Sequence, residues 1–459
     1  MKHLGIEVPV KNVPELDPGF LPLGKFCTAF LKDAKKPLDI AVERAGGEVA
    51  VYKTFIHGTP DMAEADIYYV DRIIKMLLWM KGGFKVYLSG DQAVYEAMKA
   101  TYCVGGARAF DADFMSNVYE KPFEVVYCDQ VPAEKSNPQA VGRHLGGCRI
   151  GFDAGGSDRK VSAVIDGEPV FSEEVVWFPK TTSDPDYHYE GIVSALKAAA
   201  EHMPRVDAVG VSSAGIYIEN RTMNASLFLK VSKEDFDAKV KDIYIRAIRD
   251  TFGDVPYVVA NDGDVSALAG AMSLEEDNIL GIAMGTSEAV GYVDANGNIT
   301  GWLNELAFAP VDVSPNAMED EWSGDIGCGV KYFSQDSVIK LAPAAGISLS
   351  ADLSPAEKLK EVQKLMDQGG SPAEAIYRSI GVYLGHSLAL YHHFYGFKHV
   401  LLLGRVMSGR GGDIILDTCK KVLADEYPEV AGLMNPTLPD EKARRVGQSV
   451  AAASLPELR

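Results

Sequence analysis

The fold is decided by the stretch Arg149-Ile-Gly-Phe-Asp-Ala-Gly-Gly-Ser-Asp-Arg-Lys-Val-Ser-Ala163. An apolar run ends in Asp153, a turn of small residues follows, and a second apolar run covers residues 161–165. This pattern predicts a β-hairpin with two glycines in its turn, Gly155 and Gly156, which we call the glycine corner. The carboxylate of Asp153 lies at the end of the first strand. Taken alone, the stretch is equally typical of a plain structural hairpin.

Several residues of this hairpin suit the binding of a nucleotide phosphate. Gly155 and Gly156 lack a Cβ, so their backbone amides can approach a bulky anion. Ser157 adds a hydroxyl and Lys160 adds a cation close by. Asp153 would repel a phosphate, but it can hold through water the Mg²⁺ that accompanies nucleotide phosphates. The hairpin is therefore a candidate phosphate loop.

Length and composition exclude several classes of protein. The chain has 459 residues, of which 47% are hydrophobic, and this is enough for two or three domains. A net charge of −19 argues against nucleic acid as a partner. Since no apolar run has the length of a membrane span and no signal peptide is evident, we expect a cytoplasmic protein without a membrane partner. The six scattered cysteines favour free thiols.

Strands and helices alternate along the chain, which predicts an α/β protein with covered sheets. Other predicted strands also end in chemically useful turns, namely Asn261-Asp262, Gly285-Thr286-Ser287 and the segment 404–409. Ligands of α/β folds bind at the carboxyl ends of strands. A carboxylate at such an end can accept the proton of a hydroxyl group, and Asp262 is placed for that role. Helix capping is the alternative role for Asp262, because an apolar helix pattern begins at residue 265.

The order of these motifs resembles the ROK group of sugar kinases and repressors, over about residues 148–453. That group belongs to the two-domain ATPase superfamily of sugar kinases, actin and heat-shock chaperones. The resemblance implies an actin-like, ribonuclease H-like α/β fold, with an additional N-terminal α/β segment in this chain. It also implies ATP and a sugar or amino sugar as small-molecule partners, Mg²⁺ as cofactor, and Asp262 as general base. We further expect a homodimer.

The resemblance also implies which residues bind the two substrates. The implied sugar contacts are Ser213, Asn224, Asn261, Asp262 and Glu305. The implied nucleotide contacts are Asp153, Gly155, Gly156, Ser157, Lys160, Gly285, Thr286, Ser287, Gly404, Arg405 and Ser408, with Asp153 holding Mg²⁺ through water.

The sequence departs from the family pattern in three places. Glu321 and Ser323 stand where zinc-ligating cysteines are expected, so we predict that zinc is absent. Apolar side chains would then hold that loop, and the available ones are Trp322, Ile326, Tyr332 and Phe333. In the second phosphate loop, residues 288–290 (Glu-Ala-Val) replace a glycine string. Two sugar-binding positions of the family are filled by Ala307 and Val330.

These departures leave three functional interpretations open. The first is an ATP-dependent carbohydrate kinase. The second is a catalytically weak sugar or nucleotide sensor, which the altered loop and the lost sugar ligands favour. The third is a structural ATPase of the same superfamily.

We predict three domains. Residues 1–147 form an N-terminal α/β extension that begins with a hairpin around Ala45-Gly46-Gly47; it could be a degenerate copy of the half-domain, without an Asp to make a phosphate loop. Residues 148–262 form a small ATPase-fold domain with the first phosphate loop. Residues 263–459 form a large domain with the second phosphate loop and the adenosine loop.

Overall fold

The structure is a computed structural model and describes residues 1–136, 141–439 and 447–458. It divides into two compact units, each made of three chain segments. Unit 1 comprises Met1–Asn137, Ile282–Val290 and Trp302–Leu438, and unit 2 comprises Pro138–Gly281, Gly291–Gly301 and Pro439–Arg459. The division into domains at residues 148 and 263 stays a prediction.

The strands of the described residues are β1 (Lys2–His3), β2 (Ile6–Glu7), β3 (Lys36–Glu43), β4 (Val49–Ile56), β5 (Lys85–Ser89), β6 (Glu124–Tyr127), β7 (Cys148–Ala154), β8 (Asp158–Ile165), β9 (Glu168–Val176), β10 (Ala208–Ser213), β11 (Ile216–Ile218), β12 (Arg221–Asn224), β13 (Tyr257–Asn261), β14 (Ile279–Met284), β15 (Glu288–Val293), β16 (His399–Leu403) and β17 (Asn435–Thr437).

The helices are α1 (Leu23–Leu31), α2 (Ala63–Lys81), α3 (Gln92–Thr101), α4 (Ala109–Tyr119), α5 (Pro185–Ala200), α6 (Lys233–Asp235), α7 (Ile243–Phe252), α8 (Asp262–Leu274), α9 (Gln335–Leu341), α10 (Pro355–Asp367), α11 (Ser371–Tyr395), α12 (Arg410–Glu426), α13 (Pro428–Ala431) and α14 (Gln448–Ala453). The mixed α/β class expected from the sequence is confirmed.

Unit 2 is built on a five-stranded sheet in the order β13-β10-β7-β8-β9. Strands β7, β10 and β13 are parallel, whereas β8 and β9 continue from β7 as an antiparallel meander. The predicted hairpin with its glycine corner is the β7–β8 connection. Because β7, β10 and β13 are adjacent and parallel, their carboxyl ends lie at one edge of the sheet.

Helix α14 packs directly on the middle of this sheet. A Cβ at Gly151 in β7 would lie 1.7 Å from the carbonyl oxygen of Ser449, and one at Gly210 in β10 would lie 1.7 Å from that of Ala452. Only glycine allows the helix backbone to approach the strands this closely. Buried apolar side chains of the strands and of α5 and α7 form the core of the unit, among them Ile150, Phe152, Val209, Val211, Leu196 and Ile248.

The N-terminal part of unit 1 contains a four-stranded sheet in the order β4-β3-β5-β6. Strands β3 and β4 form the predicted hairpin, and β5 runs antiparallel to β3. In unit 2 the strand in the corresponding place, β10, is parallel to β7. The last strand of a two-stranded hairpin runs opposite to its first strand, whereas the last strand of a three-stranded meander runs parallel to its first strand. The strand that follows the β3–β4 hairpin is therefore reversed relative to the strand that follows the β7–β9 meander. A copy of the half-domain does not account for the direction of β5.

A second sheet has the order β15-β14-β16-β17, and residues 282–290 at the tip of its β14–β15 hairpin belong to unit 1. The long helix α11, buried along most of its length, packs against α12 within unit 1. No helix among the described residues is long and apolar enough to cross a membrane. All six cysteines are free, as the sequence predicts.

A cluster of buried charges in unit 1 holds the loop that has the altered zinc motif. Asp325 accepts hydrogen bonds from Arg72 Nη1 at 2.9 Å and Lys75 Nζ at 2.8 Å, both on α2, and Arg108 Nη1 lies 2.9 Å from its other oxygen. Burial alone would raise the pKa of Asp325, but the charges of Arg72 and Lys75 hold it below its usual value. The N-terminal segment therefore supplies the cations that fix this loop.

The apolar packing predicted for the loop is correct only in part. Tyr332 and Phe333 are fully buried, but Trp322 is 72% exposed and does not pack against the unit. Burial raises the pKa of the Cys328 thiol to about 12. The ion pairs of Asp325 could not be predicted from the loop sequence, because the cations Arg72 and Lys75 lie some 250 residues earlier in the chain.

Candidate functional site

The predicted general base Asp262 and the predicted magnesium-binding Asp153 lie at the carboxyl ends of parallel strands of unit 2. In the sheet register Ser212 of β10 is opposite Asp153 of β7, and Ser213 is opposite Asn261 of β13. Asp262 is the first residue of α8, directly after β13. The fold thus brings Asp153 and the Asn261-Asp262 pair to one edge of one sheet, although more than 100 residues separate them in the sequence.

The carboxylate of Asp153 is held by a chain of two hydrogen bonds. Ser212 Oγ donates to Asp153 Oδ1 at 2.9 Å, and Gln448 Nε2 donates to Ser212 Oγ at 2.9 Å. Burial raises the pKa of Asp153 to about 6; the Ser212 bond opposes this shift, whereas the charge of Asp262 adds to it. At neutral pH Asp153 is an oriented anion whose second oxygen can face a hydrated cation.

Asn261 has the capping role at the start of α8. Its Oδ1 accepts a hydrogen bond from Gly263 N at 2.7 Å, and its Nδ2 donates to the carbonyl oxygen of Gly215 at 2.7 Å. Asp262 is half-buried, and burial raises its pKa, although a hydrogen bond from Gly263 and the charge of Lys180 oppose the shift. Because Asn261 serves as the cap, capping does not explain Asp262 by itself.

The glycine corner is fixed by its neighbours in unit 2. A Cβ at Gly155 would lie 2.6 Å from the carbonyl oxygen of Asp158, so the turn requires glycine there. Trp177 Nε1 donates to the carbonyl oxygen of Gly155 at 2.7 Å. A Cβ at Gly156 would meet the end of the Lys180 side chain, 2.9 Å from Nζ. Lys180 thus lies over the candidate phosphate loop.

Other predicted residues of unit 2 are placed differently. The ammonium of Lys160 lies 3.5 Å from Asp158 and 3.6 Å from Glu174, so two carboxylates already surround it. Ser157 Oγ donates to Asp158 at 3.1 Å. Ser213 is fully buried and its hydroxyl lies 2.8 Å from that of Tyr244, so it points into the core.

Asn224 is exposed at the end of β12, next to the Gly215 loop that Asn261 also contacts. A Cβ at Gly215 would lie 2.4 Å from the carbonyl oxygen of Asn224. Asn224 and Asn261 therefore flank the same loop in unit 2.

Unit 1 brings the second glycine turn and the predicted adenosine loop together. Gly285 N donates to the carbonyl oxygen of Ser287 at 3.0 Å, which closes the turn. Arg405 Nη2 donates to Thr286 Oγ1 at 2.7 Å, and Ser408 Oγ donates to the carbonyl oxygen of Arg405 at 2.6 Å. At Gly404 φ is 94°, and a Cβ would lie 2.3 Å from the carbonyl oxygen of Met284, so only glycine fits there.

Glu288, in the altered part of the second turn, is a buried carboxyl in unit 1. Its side chain is 3% exposed, and neither carboxyl oxygen has a hydrogen-bond partner among the described residues. Burial raises its pKa well above the usual value, and the nearby charge of Glu305 adds to this effect. The Glu305 backbone is fixed by a hydrogen bond from its N–H to the carbonyl oxygen of Trp79 at 2.9 Å. Burial therefore favours the protonated form of Glu288 in the folded chain.

No sequence pattern singles out Ser212, Gln448 or Lys180. Once the sheet register is known, strand alternation identifies Ser212, because residues at equal register in parallel strands point to the same side. No local signal marks Gln448, which lies 236 residues after Ser212. The turn Pro179–Thr181 that holds Lys180 carries no recognisable motif. Among the described residues, no group of three or more His, Cys, Asp or Glu side chains could hold a metal ion directly.

Comparison with known proteins finds likeness at the level of structure. No family model matches the sequence, and no curated protein matches it. The ROK hexokinase of Thermus thermophilus superimposes with a TM-score of 0.52 at 17% identity, covering 67% of this chain and 97% of that one. A ROK family transcriptional regulator, a homologue of the E. coli MLC protein, gives 0.50 at 15% identity, covering 68% and 79%.

This chain has the ROK fold. The expectation drawn from the motif order is therefore confirmed for the fold. The ROK fold occurs in these two structures with a hexokinase and with a regulator, so the fold alone does not choose between catalysis and sensing. That choice depends on the residues of the site.

Proposed function

We propose that this protein is a carbohydrate kinase that transfers the γ-phosphoryl group of ATP to a hydroxyl of a sugar or amino sugar. The observation that carries the proposal is the position of Asp262. This half-buried carboxyl directly follows β13, and Asn261, not Asp262, is the N-cap residue of α8. The likeness to a ROK hexokinase supports the same reaction class.

In this mechanism Asp262 is the general base. As the sugar oxygen bonds to the γ-phosphorus, the bond from phosphorus to the bridging oxygen of ADP breaks, and the hydroxyl proton moves to Asp262. The raised pKa of Asp262 makes the carboxylate a stronger base. A positioned base of this kind contributes about 10²–10⁴-fold in rate.

Other residues of the candidate site would bind the phosphates, the magnesium ion and the nucleotide. The Gly155-Gly156 corner would accept phosphate oxygens, and Asp153 would hold, through water, the magnesium that neutralises phosphate charge when bound. The donor set fits, because Asp153 is an oriented carboxylate with one oxygen hydrogen-bonded to Ser212. In unit 1 we assign nucleotide contacts to the turn 285–287 and to the loop 404–408.

For the sugar we keep Asn224, Asn261 and Glu305 as proposed contacts. Ser213 is not retained in this set, since its hydroxyl lies against Tyr244 in the core.

The test is a phosphoryl-transfer screen of hexoses, amino sugars and polyols with Mg-ATP. Turnover on one of them should fall at least about 10²-fold in Asp262→Asn. The matched control is Asp254→Asn, which removes one exposed carboxylate of the same unit. Equal loss in both variants, or equal turnover of Asp262→Asn and the parent protein, would contradict the assignment of the base.

A second candidate function is a sensor that binds sugar or nucleotide without turnover. The buried Glu288, the first residue of β15 directly after the second glycine turn, favours it, because the family pattern has a glycine string at this position. Binding of sugar or Mg-ATP in calorimetry, with no phosphorylated product from any acceptor of the screen, would support the sensor over the kinase.

A further inference from the structure

A lysine that no motif predicted lies on the candidate phosphate loop of unit 2. Lys180 belongs to the short turn Pro179–Thr181, directly after β9. A Cβ at Gly156 would lie 2.7 Å from Lys180 Cε and 2.9 Å from Nζ. The ammonium therefore occupies the space above the glycine corner, where a phosphate would approach the backbone amides.

The turn that carries Lys180 is anchored to the same hairpin through Trp177 and to α5 through His188. Trp177 N donates to the carbonyl oxygen of Ser157 at 3.1 Å, and its indole donates to that of Gly155 at 2.7 Å. The carbonyl oxygen of Pro179 lies 3.0 Å from Nε2 of the buried His188. Thr182 Oγ1 donates to the carbonyl oxygen of Phe178 at 2.7 Å. These bonds fix the Cα of Lys180 beside the loop.

The charge of Lys180 is available, in contrast to that of Lys160. Lys160 lies between Asp158 and Glu174, whereas Lys180 has no carboxylate within ion-pair distance among the described residues. An ammonium group above a phosphate loop, near the proposed base Asp262, suits the terminal phosphate of a nucleotide better than the inner ones.

We propose that Lys180 is a catalytic residue that contacts the γ-phosphoryl group of ATP and stabilises its charge during transfer. This inference rests on the proposed function. When the nucleotide enters, the ammonium moves from the glycine corner onto the terminal phosphate oxygens, and the corner amides bind the phosphates in its place. Electrostatic stabilisation of a transferred phosphoryl group commonly comes from such a cation.

The experiment compares Lys180→Met and Lys180→Arg with the control Lys197→Met, which removes an exposed cation from α5 of the same unit. Calorimetry measures binding of Mg-ADP and of a non-hydrolysable Mg-ATP analogue. We expect Lys180→Met to weaken the triphosphate roughly tenfold to 100-fold and ADP much less, because only ATP carries the contacted phosphate. Lys180→Arg should retain most of the affinity, and Lys197→Met all of it.

Comparing the affinities for Mg-ADP and the Mg-ATP analogue tests the role of Lys180 separately from the proposed kinase activity. If the parent protein phosphorylates a sugar, kcat of Lys180→Met should fall about 10²-fold. If the parent binds ATP but transfers no phosphate, the kinase proposal fails, while the ATP-to-ADP comparison still decides the role of Lys180. Equal affinities of Lys180→Met and the parent for both nucleotides, equal weakening of both, or no nucleotide binding by the parent would overturn the inference.

Discussion

The hydroxyl of Ser212 donates a hydrogen bond to Asp153 Oδ1 at 2.9 Å and so joins the ends of two neighbouring parallel strands. Ser212 itself accepts a hydrogen bond from Gln448, whose amide also donates to the carbonyl oxygen of Asp262 at 3.0 Å. One side chain of α14 thus connects the proposed magnesium-binding carboxylate with the start of α8.

Ser212→Ala should move the acidic limit of activity toward higher pH. Asp153 has a pKa raised to about 6, and the Ser212 hydrogen bond keeps it from rising further. Protonated Asp153 cannot hold a cation, so the Mg²⁺ requirement should increase as pH falls through 6 and should do so at a higher pH in the variant. Activity against Mg²⁺ concentration from pH 5 to 8 measures this. Ser194→Ala, on the exposed side of α5, is the control. Superimposed profiles of all three proteins would contradict the prediction.

Asn261→Ala should cost stability, whereas Asp262→Asn should cost little. The Asn261 side chain caps α8 through Gly263 N, and loss of such a cap lowers the free energy of unfolding by about 1 kcal/mol. Asp262→Asn is isosteric and leaves that bond intact. Urea denaturation of the three proteins measures the difference. A larger loss in Asp262→Asn than in Asn261→Ala would mean that Asp262 is mainly structural.

The two glycines of the corner should respond differently to alanine. At Gly155 the new Cβ would lie 2.6 Å from a backbone oxygen, which cannot easily move, so Gly155→Ala should lose about 1–3 kcal/mol of stability. At Gly156 it would meet only the flexible end of Lys180, so Gly156→Ala should fold normally.

Gly156→Val should weaken Mg-ATP binding far more than Asp262→Asn does. Thermal melts and calorimetry test both statements, and unchanged ATP affinity in Gly156→Val would exclude this hairpin as the phosphate loop.

Glu288→Gln should stabilise the protein at alkaline pH. The pKa of Glu288 is raised in the folded state, so folding favours its protonated form. Its contribution to stability is fully present below the unfolded pKa of about 4.5 and is lost as pH rises toward the folded pKa. The amide of Gln stays neutral, so the Tm advantage of the variant should be small at pH 5 and should grow toward pH 8. An advantage that is constant with pH would show that Glu288 does not titrate in this way.

Arg72→Met should lower the free energy of unfolding by about 1.5–3 kcal/mol, because it removes one of the cations that hydrogen-bond the buried carboxylates of Asp71 and Asp325. Arg72 is 1% exposed and bonds to Asp71 and Asp325. Lys32→Met, at an exposed position of the same unit, should leave the melting curve unchanged.

We still predict that zinc is absent from this loop, which contains Asp325. Elemental analysis should therefore find no stoichiometric zinc, and chelation should not change Tm. A small effect of Arg72→Met together with a loss of Tm on chelation would assign the loop to a metal.

Much of the candidate site could be predicted from the sequence because its parts are local. The turn after Asp153, the Asn261-Asp262 pair and the turn 285–287 are each short runs that end an apolar strand. Strand ends in an α/β fold gather at one sheet edge, so the local pattern was sufficient to predict that Asp153 and Asp262 would come close. Neighbouring residues of a strand point to opposite faces, so Ser212 contacts Asp153 whereas Ser213 contacts Tyr244, and the sequence pattern alone does not indicate which of the two faces the site.

The sequence by itself determined the α/β class, the glycine corner and the carboxylates at the strand ends, because each depends on the order of neighbouring residues. Only the tertiary structure decided that Lys180 lies over Gly156, that Gln448 supports Ser212, and that Arg72 holds Asp325, 253 residues away. Such contacts depend on where distant segments cross, and hydrophobic periodicity specifies which face of an element is buried but not which partner covers it.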